Sequence, residues 1–185
     1  MLPISATPME NGTVLIVGSG GREHAISLQL AKSASVSDIH IAPGNAGTSM
    51  QGSNHDVAVN DMDGLCELAI RIGADLVIIG PEAPLVAGLA DRLRNLGISC
   101  CGPNAEGAFL EGSKQHAKSI MSRLGVPTAG SVMITESSEI DSVLDGFPKP
   151  WVIKRDGLAA GKGVTVTEDI ADAVDAAKWA IDTDG

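Results

Sequence analysis

Two short apolar runs, each ended by glycine, constrain the fold of this chain more than any other feature. Val14–Val17 is followed by Gly18, and Leu76–Ile79 is followed by Gly80. A continuous run of four apolar, mostly β-branched residues is typical of a strand that is buried on both faces, as in a parallel sheet. Since helices must cover both faces of such a sheet, the chain is predicted to adopt a layered α/β fold.

Further helices and strands alternate with these runs over about the first hundred residues. Apolar periodicity and glycine or proline boundaries predict helices at 25–32, 61–71 and 85–96, and strands at 39–41, 57–59 and 98–101. Strands that alternate with helices at this spacing indicate a parallel, doubly wound sheet of the Rossmann-like type.

The segment that follows has a different pattern. Helices are predicted at 105–110, 114–124, 137–144 and 168–181, and strands at 131–134, 151–154 and 164–167. The glycine-rich stretch from Gly157 to Gly163 separates the last two strands, which indicates a hairpin on a small α+β unit.

Charge and composition exclude several classes of function. The 185 residues contain 13 Lys and Arg against 23 Asp and Glu, a net charge of −10, and only 2% aromatic residues. A surface that binds the phosphates or stacks the bases of nucleic acid is therefore not expected. No apolar run approaches the roughly 20 residues that cross a bilayer.

The termini and cysteines indicate an intracellular protein. Residues 1–12 lack Lys and Arg and a signal-length apolar stretch, so we expect a disordered leader. Cys66, Cys100 and Cys101 have neither ligand nor redox spacing, which favours buried, reduced thiols and a cytoplasmic location. The four histidines show no metal-ligand spacing either.

The loop after the first strand has the composition of a phosphate-binding turn. Gly18, Gly20, Gly21 and Arg22 lie between the strand and the next predicted helix, where free backbone N–H groups favour an anion. A dinucleotide fingerprint would have glycine where Glu23 stands and an acidic residue after the second strand, and both are missing. A site for a single phosphate, with Arg22 as counter-charge, and a glycine turn without a ligand both stay open.

Two more loops are predicted at the same edge of the sheet. Pro43–Gly47 and Gly80–Pro84 each follow a strand, and ligands of open α/β sheets bind at the carboxyl ends of the strands. Glu82 could accept hydrogen bonds from sugar hydroxyls or from an amine. Ordinary turn chemistry would explain either loop alone, but three such loops at one edge favour a binding site.

The second segment contains a glycine loop with two lysines, Lys154 and Lys162. It is not a Walker loop, because three residues rather than four separate Gly157 from Gly161, and Gly163 follows the lysine. A small-residue loop between two strands indicates a flexible flap over the phosphates of a nucleotide, and a tight, solvated hairpin is the alternative. Lys154 would be costly to bury without an anionic partner.

Five segments, taken together, resemble one family. They are VLIVGSGGREH at Val14–His24, APGNAG at Ala42–Gly47, GPEAPLV at Gly80–Val86, LEGSK at Leu110–Lys114 and VIKRDGLAAGKGV at Val152–Val164. Their order and spacing resemble the phosphoribosylamine–glycine ligase family from about Thr13 to the end of the chain. Five segments in register are far more specific than one glycine loop.

The resemblance implies an ATP-grasp ligase of de novo purine synthesis. In that family ATP phosphorylates the carboxylate of glycine, and the amine of 5-phosphoribosylamine then displaces phosphate from glycyl phosphate to form glycinamide ribonucleotide. The resemblance implies a phosphoribosylamine-binding, pre-ATP-grasp domain at 13–112. It also implies the N-terminal part of an ATP-grasp domain, an incomplete α+β lid, at 113–185.

The resemblance also implies site residues by their position in the motifs. Those implied for phosphoribosylamine are Gly20, Gly21, Arg22, Gly44, Asn45, Gly80, Pro81 and Glu82. Those implied for the phosphates of ATP are Lys114, Lys154, Gly157, Gly161, Lys162 and Gly163. Two residues depart from the family pattern, Arg155 where the family has a small residue and His116 where it has Phe.

The family implied here is more than twice as long as this chain. Its lid-closing strand, its acidic and Asn ligands for Mg²⁺ (or Mn²⁺) and its C-terminal domain are expected beyond residue 185. We therefore expect the 185 residues alone to be inactive, either as a fragment of a ligase or as a non-catalytic module that binds a phosphosugar or nucleotide. Another ATP-grasp carboxylate–amine ligase is a further alternative.

The expected partners are small molecules, namely 5-phosphoribosylamine, glycine and ATP, and not nucleic acid or a membrane.

Overall fold

The computed structural model describes residues 10–159 and 163–182. The chain divides into two compact units, Met1–Ala108 (unit 1) and Phe109–Gly185 (unit 2). No helix in the described part of the chain is long and apolar enough to cross a membrane.

Unit 1 is built on a five-stranded parallel sheet with the strand order β3-β2-β1-β4-β5. The strands are β1 (Gly12–Gly18), β2 (Val36–Pro43), β3 (Ser53–Asn54), β4 (Leu76–Ile79) and β5 (Ser99–Cys101). The two apolar runs form β1 and β4, which lie side by side in the middle of the sheet. The helices around the sheet are α1 (Gly21–Leu30), α2 (Met62–Arg71), α3 (Glu82–Val86), α4 (Leu89–Asn95) and α5 (Ala105–Gly112).

The core of unit 1 has two layers, one on each face of the sheet. Val14 and Ile16 face one cluster, which includes Ile26 of α1, and the alternate residues Leu15 and Val17 face the other. All four of these β1 side chains are fully buried. The second cluster contains Leu65 and Leu68 of α2 and Leu89 and Leu93 of α4. Helices on both faces confirm the predicted doubly wound fold.

Two predictions in unit 1 were wrong. The segment that pairs with β2 is Ser53–Asn54 rather than 57–59, and the half-buried Val57 and Val59 pack on the core without joining the sheet. The single helix predicted at 85–96 is two helices, α3 and α4. Gly88, at φ +86°, separates them because a left-handed residue cannot continue a helix.

Unit 2 is a small α+β unit, as predicted, with an antiparallel hairpin. Its elements are α6 (Lys114–Arg123), α7 (Ile140–Asp145), β6 (Trp151–Lys154), β7 (Val164–Thr167) and α8 (Ile170–Asp182). Trp151 lies in the core, and its indole N–H donates to the carbonyls of Leu144 at 3.0 Å and Phe147 at 3.1 Å. The strand predicted at 131–134 is wrong: this segment is irregular, and both Val132 and Met133 are exposed.

Candidate functional site

Three loops of unit 1 follow β1, β2 and β4 and meet at the carboxyl edge of the sheet. The N–H of Gly44 donates to the carbonyl of Gly18 at 3.1 Å, and the N–H of Gly80 donates to the carbonyl of Val17 at 3.0 Å. The parallel ladder therefore continues into the loops and brings the predicted residues Gly20, Gly44 and Gly80 to one edge. We call this arrangement the three-loop edge.

Arg22 connects the first loop to the third. Its Nη1 donates to the carbonyl of Gly80 at 2.5 Å, and its Nη2 lies 3.0 Å from Oε1 of Glu82. The hydrogen bond from the N–H of Glu82 itself, followed by that from Arg22, holds the pKa of the Glu82 carboxyl below its usual range. The Arg22 side chain is still 60% exposed, so the guanidinium is open to solvent while it joins the two loops.

Asn45 connects the first loop to the second. Its Nδ2 donates to the carbonyl of Ser19 at 2.9 Å, and its Oδ1 accepts from the N–H groups of Gly47 at 2.7 Å and Thr48 at 3.1 Å. The side-chain amide thus caps the short 3₁₀ turn Thr48–Met50 and holds the first loop at the same time.

Two polar residues that the sequence reasoning missed support this turn. Thr48 is completely buried, and its Oγ1 accepts from the N–H of Asn45 at 2.7 Å and lies 2.8 Å from Oδ1 of Asn54. Asn54 in turn donates from Nδ2 to the carbonyl of Asn45 at 2.8 Å. The sequence analysis placed the strand at 57–59 and so left Asn54 outside any strand. Asn54 instead lies in β3, and this position brings its side chain to the Asn45 loop.

Glu23 was also missed as a site residue, although its departure from the dinucleotide fingerprint was noted. Its side chain is only 6% exposed, and Oε2 accepts from the N–H of Gly20 at 2.6 Å. A Cβ atom added at Gly18, Gly20 or Gly80 would overlap the Glu23 side chain. The three glycines therefore make room for one buried carboxylate, and that carboxylate occupies the N–H that a dinucleotide-binding loop offers to its ligand.

Two of the predicted nucleotide residues of unit 2, Lys114 and Gly157, meet at the N-terminus of α6. Ser113 caps the helix, and its Oγ accepts from the N–H of His116 at 3.0 Å. Lys114 Nζ donates to the carbonyl of Gly157 at 2.8 Å, which joins the helix to the glycine loop. The ring of His116 packs against that of Phe109 with 4.9 Å between the ring centroids, so this departure from the family pattern is accommodated as an aromatic contact.

The structure describes the glycine loop as far as residue 159 and again from residue 163. Lys154 ends β6 opposite Val164 and is exposed, so the burial considered from the sequence does not occur. Gly157 has φ +77°, and the N–H of Arg155 donates to the carbonyl of Gly163 at 2.9 Å, which closes the base of the loop. Gly161 and Lys162 lie outside the described residues.

The cysteines and histidines of the described residues belong to no metal-binding cluster. Within residues 10–159 and 163–182 no group of three or more His, Cys, Asp or Glu side chains could hold a metal ion. The three cysteines are free thiols: Cys66 is buried, Cys100 is partly buried and Cys101 is exposed, which corrects the expectation that all three are buried. Burial raises the pKa of the Cys66 and Cys100 thiols, which lowers their reactivity.

Comparison with known families divides the chain in two. Residues 12–111 match the phosphoribosylglycinamide synthetase N domain, and residues 112–184 match the ATP-grasp (A) domain of the same synthetase.

Sequence relatives and solved structures agree with these matches. A phosphoribosylamine–glycine ligase of Streptomyces coelicolor is 50% identical over 157 residues, which are 85% of this chain and 38% of the relative. A ligase of the same name from Mycobacterium tuberculosis is 48% identical over 161 residues, 84% of this chain and 38% of the relative. The chain therefore spans about 38% of the length of these curated relatives.

Among solved structures, phosphoribosylamine–glycine ligase from Thermotoga maritima has a TM-score of 0.72 and 34% identity, and the match covers 88% of this chain and 38% of that one. An ADP complex of N5-carboxyaminoimidazole ribonucleotide synthetase has a TM-score of 0.76, with 94% of this chain and 45% of that chain covered. Its identity is only 18%, so this second likeness concerns the fold alone.

Proposed function

We propose, because the chain belongs to the phosphoribosylglycinamide synthetase family, that it supplies the substrate domain and part of the ATP-binding domain of a phosphoribosylamine–glycine ligase. The family matches confirm the resemblance drawn from the five sequence segments. We propose the substrate domain at 13–112 and the ATP-grasp part at 113–185.

The proposed reaction takes place in two steps. The carboxylate of glycine attacks the γ-phosphorus of ATP, which forms glycyl phosphate and releases ADP. The amine of 5-phosphoribosylamine then attacks the carbonyl carbon of glycyl phosphate, and phosphate leaves as the amide bond of glycinamide ribonucleotide forms. Phosphorylation is needed because a free carboxylate has no leaving group that an amine can displace, and cationic side chains offset the charge of the transferred phosphoryl group.

The observation that carries this proposal is the three-loop edge. Arg22 and Asn45 hold the loops together through side-chain bonds to Gly80, Glu82 and Ser19. We propose that the phosphate of 5-phosphoribosylamine binds at Gly20, Gly21 and the exposed guanidinium of Arg22, next to the N-terminus of α1. Because the N–H of Gly20 already donates to Glu23, Gly20 contributes through the close approach that its lack of a side chain allows. In this arrangement Gly44 and Asn45 shape one side of the ribose site, and Pro81 and Glu82 the other, with the Glu82 carboxylate as acceptor for a hydroxyl or the amine.

In unit 2 we propose that Lys114, Lys154 and the loop containing Gly157 and Gly163 bind the phosphates of ATP. Gly161 and Lys162, outside the described residues, are proposed to take part on the basis of the family motif alone. Mg²⁺ (or Mn²⁺) would accompany ATP and neutralise its phosphates. The described residues contain no cluster suited to a metal, so we assign none of them to it.

Three free cysteines support a reducing compartment and hence a cytoplasmic location.

A chimaera tests the proposed function directly. The segment of the Streptomyces coelicolor relative that matches this chain is replaced by the chain itself. Formation of ADP and glycinamide ribonucleotide is then measured with glycine and with phosphoribosylamine generated from ribose 5-phosphate and ammonia. We expect ADP formation that requires both substrates. A folded chimaera that makes no product, while the unmodified relative is active, would contradict the proposal.

A further inference from the structure

Asp156 lies between β6 and the glycine loop and has no role in the function proposed above. Its carboxylate is turned toward the N-terminus of α6. Oδ1 accepts from the N–H of Lys114 at 2.5 Å and from the N–H of Gln115 at 3.2 Å, and Oδ2 accepts from the hydroxyl of Ser113 at 2.8 Å. One side chain of the loop therefore satisfies three donors of the first turn of the helix.

The connection is reciprocal. While Asp156 of the loop caps the helix, Lys114 of the helix donates from Nζ to the carbonyl of Gly157, the next residue of the loop, at 2.8 Å. We call these four bonds, which join Ser113, Lys114 and Gln115 to Asp156 and Gly157, the loop clamp. The clamp therefore ties the stem of the loop, at Asp156 and Gly157, to the first turn of α6.

Charge makes the clamp stronger than four ordinary hydrogen bonds. A carboxylate at the N-terminus of a helix interacts favourably with the helix dipole, and bonds to an ionised acceptor are about twice as strong as neutral ones. Burial opposes ionisation of Asp156, but bonds from Ser113, Gln115, Lys114 and Gly157 together hold the pKa of its carboxyl below its usual range. Asp156 is therefore ionised near neutral pH, in the form that makes the clamp.

We propose that Asp156 is a positioning residue of the ATP site, which fixes the stem of the glycine loop to α6 so that Gly157 and Lys114 are presented to the phosphates as one unit. This inference rests on the proposed function, because Lys114 and the loop are assigned to ATP there. Asp156 acts through Lys114 and the loop backbone, and as an anion it does not itself bind the phosphates.

The test uses two measurements. Amide hydrogen exchange of Lys114 and Gln115 in the 185-residue chain, followed by NMR, reports the clamp itself. Calorimetric titration of the Streptomyces coelicolor chimaera with MgATP reports its consequence for binding, because the chimaera also carries the rest of the ATP-binding domain. The variants are Asp156→Asn, which keeps the size and removes the charge, Asp156→Glu, which restores a carboxylate, and Asp145→Asn, which removes the same charge at an exposed position of unit 2.

We expect Asp156→Asn to speed exchange at Lys114 and Gln115 and to weaken MgATP binding about tenfold, the loss expected for charge-assisted bonds. Asp156→Glu recovers part of both effects, and Asp145→Asn changes neither. In a Lys114→Met background the effect of Asp156→Asn on the affinity becomes much smaller, because the residue through which Asp156 acts is gone. A merely structural role would instead give the same loss in both backgrounds.

Unchanged exchange at Lys114 and Gln115 in Asp156→Asn would overturn the clamp, and unchanged MgATP affinity would overturn the positioning role. Failure of the chimaera with Asp156 intact to bind MgATP has a different meaning. It would remove the ATP assignment of the proposed function, and the positioning role with it, even if the exchange data showed that the clamp exists.

Discussion

At the scale of single residues, Glu23 accounts for the glycines around it. The Glu23 carboxylate is buried and bonded to the N–H of Gly20, so it cannot move aside for a new methyl group as an exposed side chain would. Sequence patterns alone identify the glycines of such a loop as a candidate phosphate site. They do not show that Gly18 and Gly20 of this loop, and Gly80 of the loop after β4, face the Glu23 side chain.

The first prediction concerns Gly80. The three atoms nearest to a Cβ added at Gly80 all belong to Glu23, so Gly80→Ala is expected to reduce the free energy of unfolding by about 1–3 kcal/mol, as for an overpacked core. In a Glu23→Ala background the same substitution should cost much less. Gly21→Ala is the control, since a Cβ there meets nothing within 4 Å. Urea unfolding measures the unmodified chain and each of these variants, and equal costs of Gly80→Ala in the two backgrounds would contradict the account.

The second prediction concerns Arg22. Its guanidinium is exposed at the three-loop edge, so Arg22→Ala is expected to weaken binding of ribose 5-phosphate by about 1–3 kcal/mol through loss of a charge-assisted bond. The control is Arg92→Ala, which removes a cation paired with Asp63 at 2.6 Å elsewhere in unit 1. Calorimetry compares the two variants with the unmodified chain. Equal affinities for Arg22→Ala and Arg92→Ala would remove Arg22 from the site.

At the scale of elements, the pH dependence of the loop clamp gives the third prediction. The pKa of Asp156 is lower in the folded chain than in the unfolded chain, so its ionised form stabilises the fold above the unfolded pKa. That stabilisation is lost as the pH falls below the ordinary pKa of an aspartate and through the lower folded pKa. Asp156→Asn should therefore be less stable than the unmodified chain at pH 7, and the difference should shrink at pH 3.

Thermal unfolding of both proteins at the two pH values measures this effect. Asp145→Asn serves as the control for general acid unfolding, because Asp145 is exposed and lies outside the clamp. A difference between Asp156→Asn and the unmodified chain that is as large at pH 3 as at pH 7 would show that the charge of Asp156 does not stabilise the fold.

Elements differed in how well the sequence predicted them, for physical reasons. The strands β1 and β4 were predicted because burial on both faces requires continuous apolar residues. Val57 and Val59 alternate like a strand, yet their alternation reflects packing on the core, and the edge of β2 pairs with polar Ser53 and Asn54 instead. The segment 131–134 was misjudged for a related reason, because a short apolar run does not reveal whether a partner strand exists.

At the scale of the whole molecule, unit 1 and unit 2 are separate compact bodies with separate proposed ligands. The fold class and the glycine loops were accessible from the sequence because both leave local patterns. The bonds that build the site were not, since Arg22 reaches Gly80 and Asp156 reaches Lys114 across 58 and 42 residues of sequence. Because the chain has a net charge of −10, a cation such as Arg22 in a glycine loop is easily noticed in the sequence. The charge alone does not identify the bonds that Arg22 forms.

The central claim is that the three-loop edge binds a phosphorylated sugar, and amide chemical shifts of the ¹⁵N-labelled 185-residue chain during titration with ribose 5-phosphate test it most directly. We predict saturable shifts that are largest in the loops at Gly20, Gly44 and Gly80, with no comparable change on titration with unphosphorylated ribose. Shifts confined to unit 2, or equal responses to the two sugars, would contradict the account.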